Sequence, residues 1–190
     1  MRLAKRITSI TLLLVMGAIL ISSVSQAVSK NRKAGQAYAS AVENETIRYN
    51  KNMGYRIADM DGDGVKDLLI SNPAGKAYVY SYKKGAVKTI LEYLPEYDLC
   101  YNAKKKLFVE NGEGDGAWHI FYKYKNGKLV EKFRLFTEYA NGSDLVYKYR
   151  KAGEEAEEMT KDEFMKMVEK YCVENLQSSR IKLINTLRKL

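Results

Sequence analysis

Two hairpins in this chain are near copies of one another, and no other feature limits the fold as strongly. YSYKKGAVKTI (residues 80–90) aligns with YKYKNGKLVEKF (122–133), so that Tyr80 falls on Tyr122, Tyr82 on Tyr124 and Gly85 on Gly127. Each copy is an alternating strand, a tight turn with glycine and a second alternating strand, which is the pattern of a β-hairpin. The repeat is about 42 residues long, a length suited to a four-stranded β-blade. YRIAD, DLLISN, KAYVYSY and AVKTILEY form a first series of strands; LCYNA, KLFVEN, AWHIFYKY and KLVEKFRLF form a second. DLVYKYRKAGEEAEEM, with Tyr147 and Tyr149, is a weaker third echo. The expected fold class is mainly β with flanking helices (α+β): antiparallel blade-like meander sheets, an open or partial β-propeller, and N- and C-terminal helices. Two or three blades cannot close a ring. Either helices cover the open edges or several copies of the chain complete one another as an oligomer.

The ends of the chain read differently. MRLAKR followed by ITSITLLLVMGAILISSV has the basic and apolar regions of a signal peptide, and Ser25 and Ala27 supply small residues for cleavage after position 27. The expected organisation is a leader over 1–27, a linker and short helix over 28–53, a β-rich domain over 54–158 and a helical segment over 159–190. The first helix is expected at 33–46. The expected location is outside the cell; the alternative is a chain anchored by an uncleaved leader, since the apolar run is just long enough to span a bilayer. With the leader removed, no stable membrane insertion is expected. Near the other end, Thr160 and Glu163 have capping-box spacing, and Phe164, Met167, Val168 and Tyr171 share one helical face. A last basic helix is expected to bury Ile181, Ile184 and Leu187.

Within the β-rich part, DMDGDGVKDLLI places Asp59, Asp61, Asp63 and Asp67 at positions 1, 3, 5 and 9 of one short run. Carboxylates this close repel one another and call for a counter-charge. A hard divalent cation suits them, because Ca²⁺ takes six to eight oxygens and a tight turn presents alternate aspartates together. The Val65 carbonyl stands at position 7, and Gly62 and Gly64 allow the bend. An EF-hand opens with the same spacing, but position 12 is Ile70 rather than glutamate, and the flanks alternate like strands. Pro73 blocks a long exiting helix.

This strand–loop–strand pattern, continued as DMDGDGVKDLLISNPAGKAYVYSY, resembles the FG-GAP repeat, the calcium-loop blade of integrin α-type propellers and of small secreted bacterial proteins. The resemblance covers residues 55–92 well and extends weakly to about 136. It implies that Asp59, Asp61, Asp63, Asp67 and the Val65 carbonyl bind Ca²⁺ as the cofactor. The sequence departs from the family in having one full metal loop. NGEGDGAWH sets Asn111, Glu113, Asp115, Gly116 and His119 in a similar frame, but histidine suits a hard cation poorly, so a glycine hairpin is expected there.

Signals for catalysis are sparse. His119 is the only histidine, and nothing near it reads as a nucleophile motif. Glu110 and Glu113 beside Trp118 are the best carboxylate pair for an extracellular hydrolase of wall or glycan polymers. The tyrosines alternate: Tyr78, Tyr80 and Tyr82 on one strand, Tyr122 and Tyr124 on another. With Trp118 they form a possible binding face for a cell-surface polymer or a protein, alongside the simpler reading that tyrosine favours half-buried strands. The net charge of +9 is spread along the chain without a basic patch, which argues against nucleic acid as a partner. Cys100 and Cys172 are compatible with a disulfide or with two buried thiols. The expected function is that of a secreted, calcium-binding, non-enzymatic binding module; the alternatives are the hydrolase and an oligomeric structural protein.

Overall fold

The fold was analysed in a computed structural model, which describes residues 25–72, 75–113, 116–140 and 144–190. β1 (Gly54–Ala58), β2 (Asp67–Ser71), β3 (Ala77–Lys83) and β4 (Ala86–Tyr93) form an antiparallel meander. β5 (Asp98–Asn102), β6 (Leu107–Glu113), β7 (Ala117–Lys125), β8 (Lys128–Ala140), β9 (Asp144–Lys151) and β10 (Glu157–Met159) form a second. Helix α1 covers residues 25–43 of the described chain. α2 (Lys161–Tyr171) follows β10; the two-residue β11 (Leu176–Gln177) then returns to pair with β1, and α3 (Arg180–Leu187) comes last. The architecture is thus α+β, with two antiparallel sheets and neither a closed barrel nor a propeller among the described residues.

The internal repeat is real in three dimensions. Lys84–Gly85 and Asn126–Gly127 turn their hairpins with φ between 51° and 84°, the left-handed pair of a type I′ turn. The strand register slips between Val79 and Tyr80 in the first hairpin, and between Phe121 and Tyr122 in the second, so even the β-bulge recurs at the matched position.

The chain stacks as four layers. The sheets meet through Leu69, Val79, Leu91, Leu99, Tyr101 and Phe108. The far face of the first sheet, with Tyr55, Leu68 and Ile70, packs on α1 and α3 through Tyr38, Val42, Leu183 and Leu187. The far face of the second, with Val109, Phe121 and Leu135, packs on α2 through Phe164. Because β2 is covered on both faces, all five of its residues are buried and its sequence loses alternation. Each fully buried leucine here would cost about 2–5 kcal/mol if cut to alanine.

Several expectations need correction. α1 begins well before residue 33: the polar stretch SKNRK is helical and simply exposed, and the first buried side chain is Ala34. The helix also runs through the Ala27–Val28 junction, whereas residues 1–24 of the expected leader lie outside the described chain. Among the described residues no helix is long and apolar enough to cross a membrane. The third echo opens no third blade. β8 is 13 residues long and pairs with β9 as far as Ala140, so the echo widens the second sheet. Tyr147 and Tyr149 consequently face α2, opposite to Tyr122 and Tyr124. Glu157 and Glu158, at the end of that echo, stand in strand β10. On α3 Leu183 replaces Ile181 in the core; Ile181 is 71% exposed. The capping box of α2 forms as expected: Thr160 accepts from the Glu163 N–H, and the Glu163 carboxylate accepts from the Thr160 N–H. Cys100 and Cys172 are both free thiols, and no disulfide joins them.

Candidate metal centre

The aspartate run is the connection between β1 and β2, closed by the register pair Ala58–Asp67. Gly62 and Gly64 take φ of 84° and 82°, where any side chain would be strained, and this winds the loop back on itself. The side chains then point inward and satisfy the turn. Asp59 Oδ1 accepts from the Gly62 N–H at 2.9 Å and Asp59 Oδ2 from the Gly64 N–H at 3.1 Å. Asp61 accepts from the Asp63 N–H and Asp63 from the Val65 N–H. The loop is also held from outside. The Lys66 N–H donates to Asn31 Oδ1 at 2.7 Å, and the Tyr38 hydroxyl donates to the Lys66 carbonyl at 3.0 Å.

Asp59, Asp61 and Asp67 each bring one carboxylate oxygen within 4.8 Å of the others, an arrangement that could hold a metal ion. Asp67 is fully buried. Its Oδ2 accepts from the N–H of Met60 at 2.7 Å and of Asp61 at 3.3 Å, while Oδ1 is buried with no hydrogen-bond partner. Ser81 lies close enough to lower the Asp67 pKa, yet the Ser81 hydroxyl and Oδ1 complete no hydrogen bond. Burial nevertheless dominates, and with the charge of Asp61 it pushes Asp67 up to about 6. A buried carboxylate oxygen without a donor costs about 1–3 kcal/mol or more. Three carboxylates converging within one short loop are a donor set that fits a hard cation.

Asp63, expected as a ligand, is not in the cluster of three. Its carboxylate pairs with Lys83, which also reaches Asp61 Oδ2 at 2.6 Å. Burial opposes the charges on Asp63 and Lys83, but the pair outweighs it: Asp63 is held below its ordinary value and Lys83 above. Lys83 thus acts as an internal counter-charge. Nothing in the sequence marks it except its place at the end of β3, beside the turn; Asn31 and Tyr38 carry no sequence signal of this role. In the second repeat, the equivalent connection is the lysine turn 103–106, so the metal loop has no counterpart there. Asn111 and His119 of the other candidate loop are cross-strand partners in the β6–β7 hairpin, with His119 Nδ1 3.0 Å from Asn111 Oδ1. Asp115 lies outside the described residues.

The aromatic residues do not form one face. Tyr80 and Tyr82 sit on the helix side of the first sheet, where Tyr78 stacks on Tyr80 at 6.0 Å. Tyr122 and Tyr124 point into the seam between the sheets, where their hydroxyls donate to Glu110 Oε2 and to the Ile90 carbonyl. The hairpins stack face to back instead of lying side by side, which puts equivalent tyrosines in different layers. Trp118, also on β7, lines a cleft together with Tyr93, Glu110 and Tyr122.

Comparison with protein families, with curated proteins and with solved structures finds no match.

Proposed function

We propose that the chain is an exported, calcium-binding β module that binds a surface polymer or protein and performs no catalysis. Asp59, Asp61 and Asp67 take the ion, with Asp63 and the Val65 carbonyl joining once Lys83 is displaced. The convergence of the Asp59, Asp61 and Asp67 carboxylates within one loop carries the metal reading. The strand–loop–strand setting of the aspartates supports the FG-GAP resemblance, and the leader-like first residues support export, where calcium is abundant. The ion's work is structural: it clamps the β1–β2 connection and relieves carboxylate repulsion.

The hydrolase reading has less in its favour. Glu110 is buried, and its carboxylate already accepts from the Tyr93 and Tyr122 hydroxyls and the Glu96 N–H, at 2.7–3.0 Å. That suits an anchoring acceptor better than a group that must give up a proton. An assembled propeller is also disfavoured, since helices cover the two outer sheet faces that further blades would need.

Calorimetric calcium titration of the protein, with thermal melting, tests the metal reading beside an Asp61→Ala/Asp63→Ala variant. Saturable binding at about 10⁻⁴ to 10⁻³ M, with a raised Tm, is expected for the wild type. Wild-type protein that neither binds nor shifts at millimolar calcium would overturn it.

A further inference from the structure

The repeat creates two equivalent hollows, and only the second is built to receive something. In the first, Lys76, Tyr78, Tyr80 and Glu92 hold the places that Trp118, Ile120, Tyr122 and Arg134 hold in the second; Tyr78 faces Glu92 across the ladder as Ile120 faces Arg134. Lys76 and Glu92 pair with one another in the first hollow. In the second, Trp118, Ile120 and Phe136 make an aromatic and apolar floor for a cleft of about 570 Å³, next to the end of β4. Gly112 makes room for the indole, because a Cβ there would lie 2.2 Å from the ring. Tyr97, 41% exposed, packs edge-on to Trp118 at 5.3 Å, and Leu94 beside the cleft is 68% exposed.

The polar groups of the cleft are arranged rather than scattered. Glu110 is 2% exposed and fixed by its three donors, and the Tyr93 and Tyr122 hydroxyls stand 3.1 Å apart above it. Arg134 and Arg150 also line the cleft, as do Glu96 and Glu138, of which Glu138 is paired with Lys148; the two arginines stand directly across from each other on β8 and β9. Like charges so placed repel. Glu131 neutralises Arg134 through two hydrogen bonds, whereas no carboxylate among the described residues pairs with Arg150.

We propose that this cleft binds a carboxylated sugar unit of an acidic glycan, with the pyranose ring on Trp118 and its carboxylate on Arg150. The indole accepts the C–H face of a sugar ring. The two tyrosine hydroxyls, held in place by Glu110, accept from sugar hydroxyls, and the Arg150 guanidinium is matched by a carboxylate. This site rests on the binding-module reading but not on the metal loop.

Trp118 is the only tryptophan of the chain, so its emission reports directly on the cleft. The test is fluorescence titration of the full chain with a hexasaccharide of alternating glucuronic acid and N-acetylglucosamine, beside neutral chitohexaose. A saturable emission change with the acidic hexamer is expected, at least about tenfold tighter than with the neutral one. Arg150→Ala should abolish that preference with Tm unchanged. No response to either sugar at about 10 mM, equal affinity for both, or an unaltered preference in the arginine variant would overturn the proposal. Calcium titration of the same samples separates the two readings: a sugar response without a calcium response rejects the metal alone, and the reverse rejects the cleft alone.

Discussion

The Lys83 ammonium bridges Asp61, at 2.6 Å from its Oδ2, and Asp63, so the loop carries a counter-ion of its own. A calcium ion entering the cluster must compete with that lysine. Lys83→Met should therefore tighten calcium binding about fivefold, from removal of about 1 kcal/mol of competing ion pairing. It should also lower the Tm of the calcium-free protein by a few degrees. Calorimetry and melting in chelator measure both; weaker calcium binding in the variant would show that Lys83 helps the site rather than competing with it.

Asp67→Asn separates the ion from the fold. The amide still accepts from the Met60 N–H, and its NH₂ can serve the neighbouring Ser81. In chelator at pH 7.5 the variant should melt at or above the wild-type temperature, since a buried ionised carboxylate has been removed. In 5 mM calcium it should melt below it. A variant that is less stable in both conditions would make Asp67 purely a structural acceptor.

The same residue gives the calcium-free protein a pH dependence. Its folded pKa of about 6 lies above the ordinary 3.8, so between these values the folded state holds the proton more tightly than the unfolded chain. This contribution is fully present below pH 3.8 and is lost as pH rises through 6. Its size is on the order of 2–3 kcal/mol. Relative to Asp67→Asn, wild-type protein in chelator should lose stability between pH 4.5 and 7, and saturating calcium should remove the trend.

Gly112→Ala would drive a methyl group into the Trp118 ring. Overpacking of this kind costs about 1–3 kcal/mol. Denaturant melts should show the loss, together with a red-shifted tryptophan emission as the indole is pushed outward.

Burial alone pushes the Cys172 thiol up to about 12, and burial followed by the nearby Asp98 carboxylate raises Cys100 further. Native protein should react with a thiol reagent at pH 8 about 100-fold more slowly than denatured protein, with two thiols released on unfolding. No reactive thiol after unfolding without reductant would reveal a Cys100–Cys172 bridge.

What could be read from the residues was mostly local. The hairpins, their turns, the four-strand series and the Thr160 cap rest on neighbours in the chain, and they stand where the sequence puts them. The acidic loop was legible for the same reason, since all its carboxylates lie within nine residues. What escaped was set by layering. Whether Tyr80 and Tyr122 share a face depends on how two sheets stack, and alternation alone does not carry that. Lys83 reaches Asp61 only because β3 lies beside β2, and Ile181 yields its core place to Leu183 only because α3 leans on α1.

One of those layered contacts bears on how the protein would be cut. Both backbone polar groups of Lys66 are taken by α1, through Asn31 and Tyr38. The helix and the acidic loop are therefore fastened at a shared point, and loosening one loosens the other. A protease that trims residues 25–40 then reads the loop at a distance: cleavage should be slow with calcium bound and quicken when the ion is withdrawn.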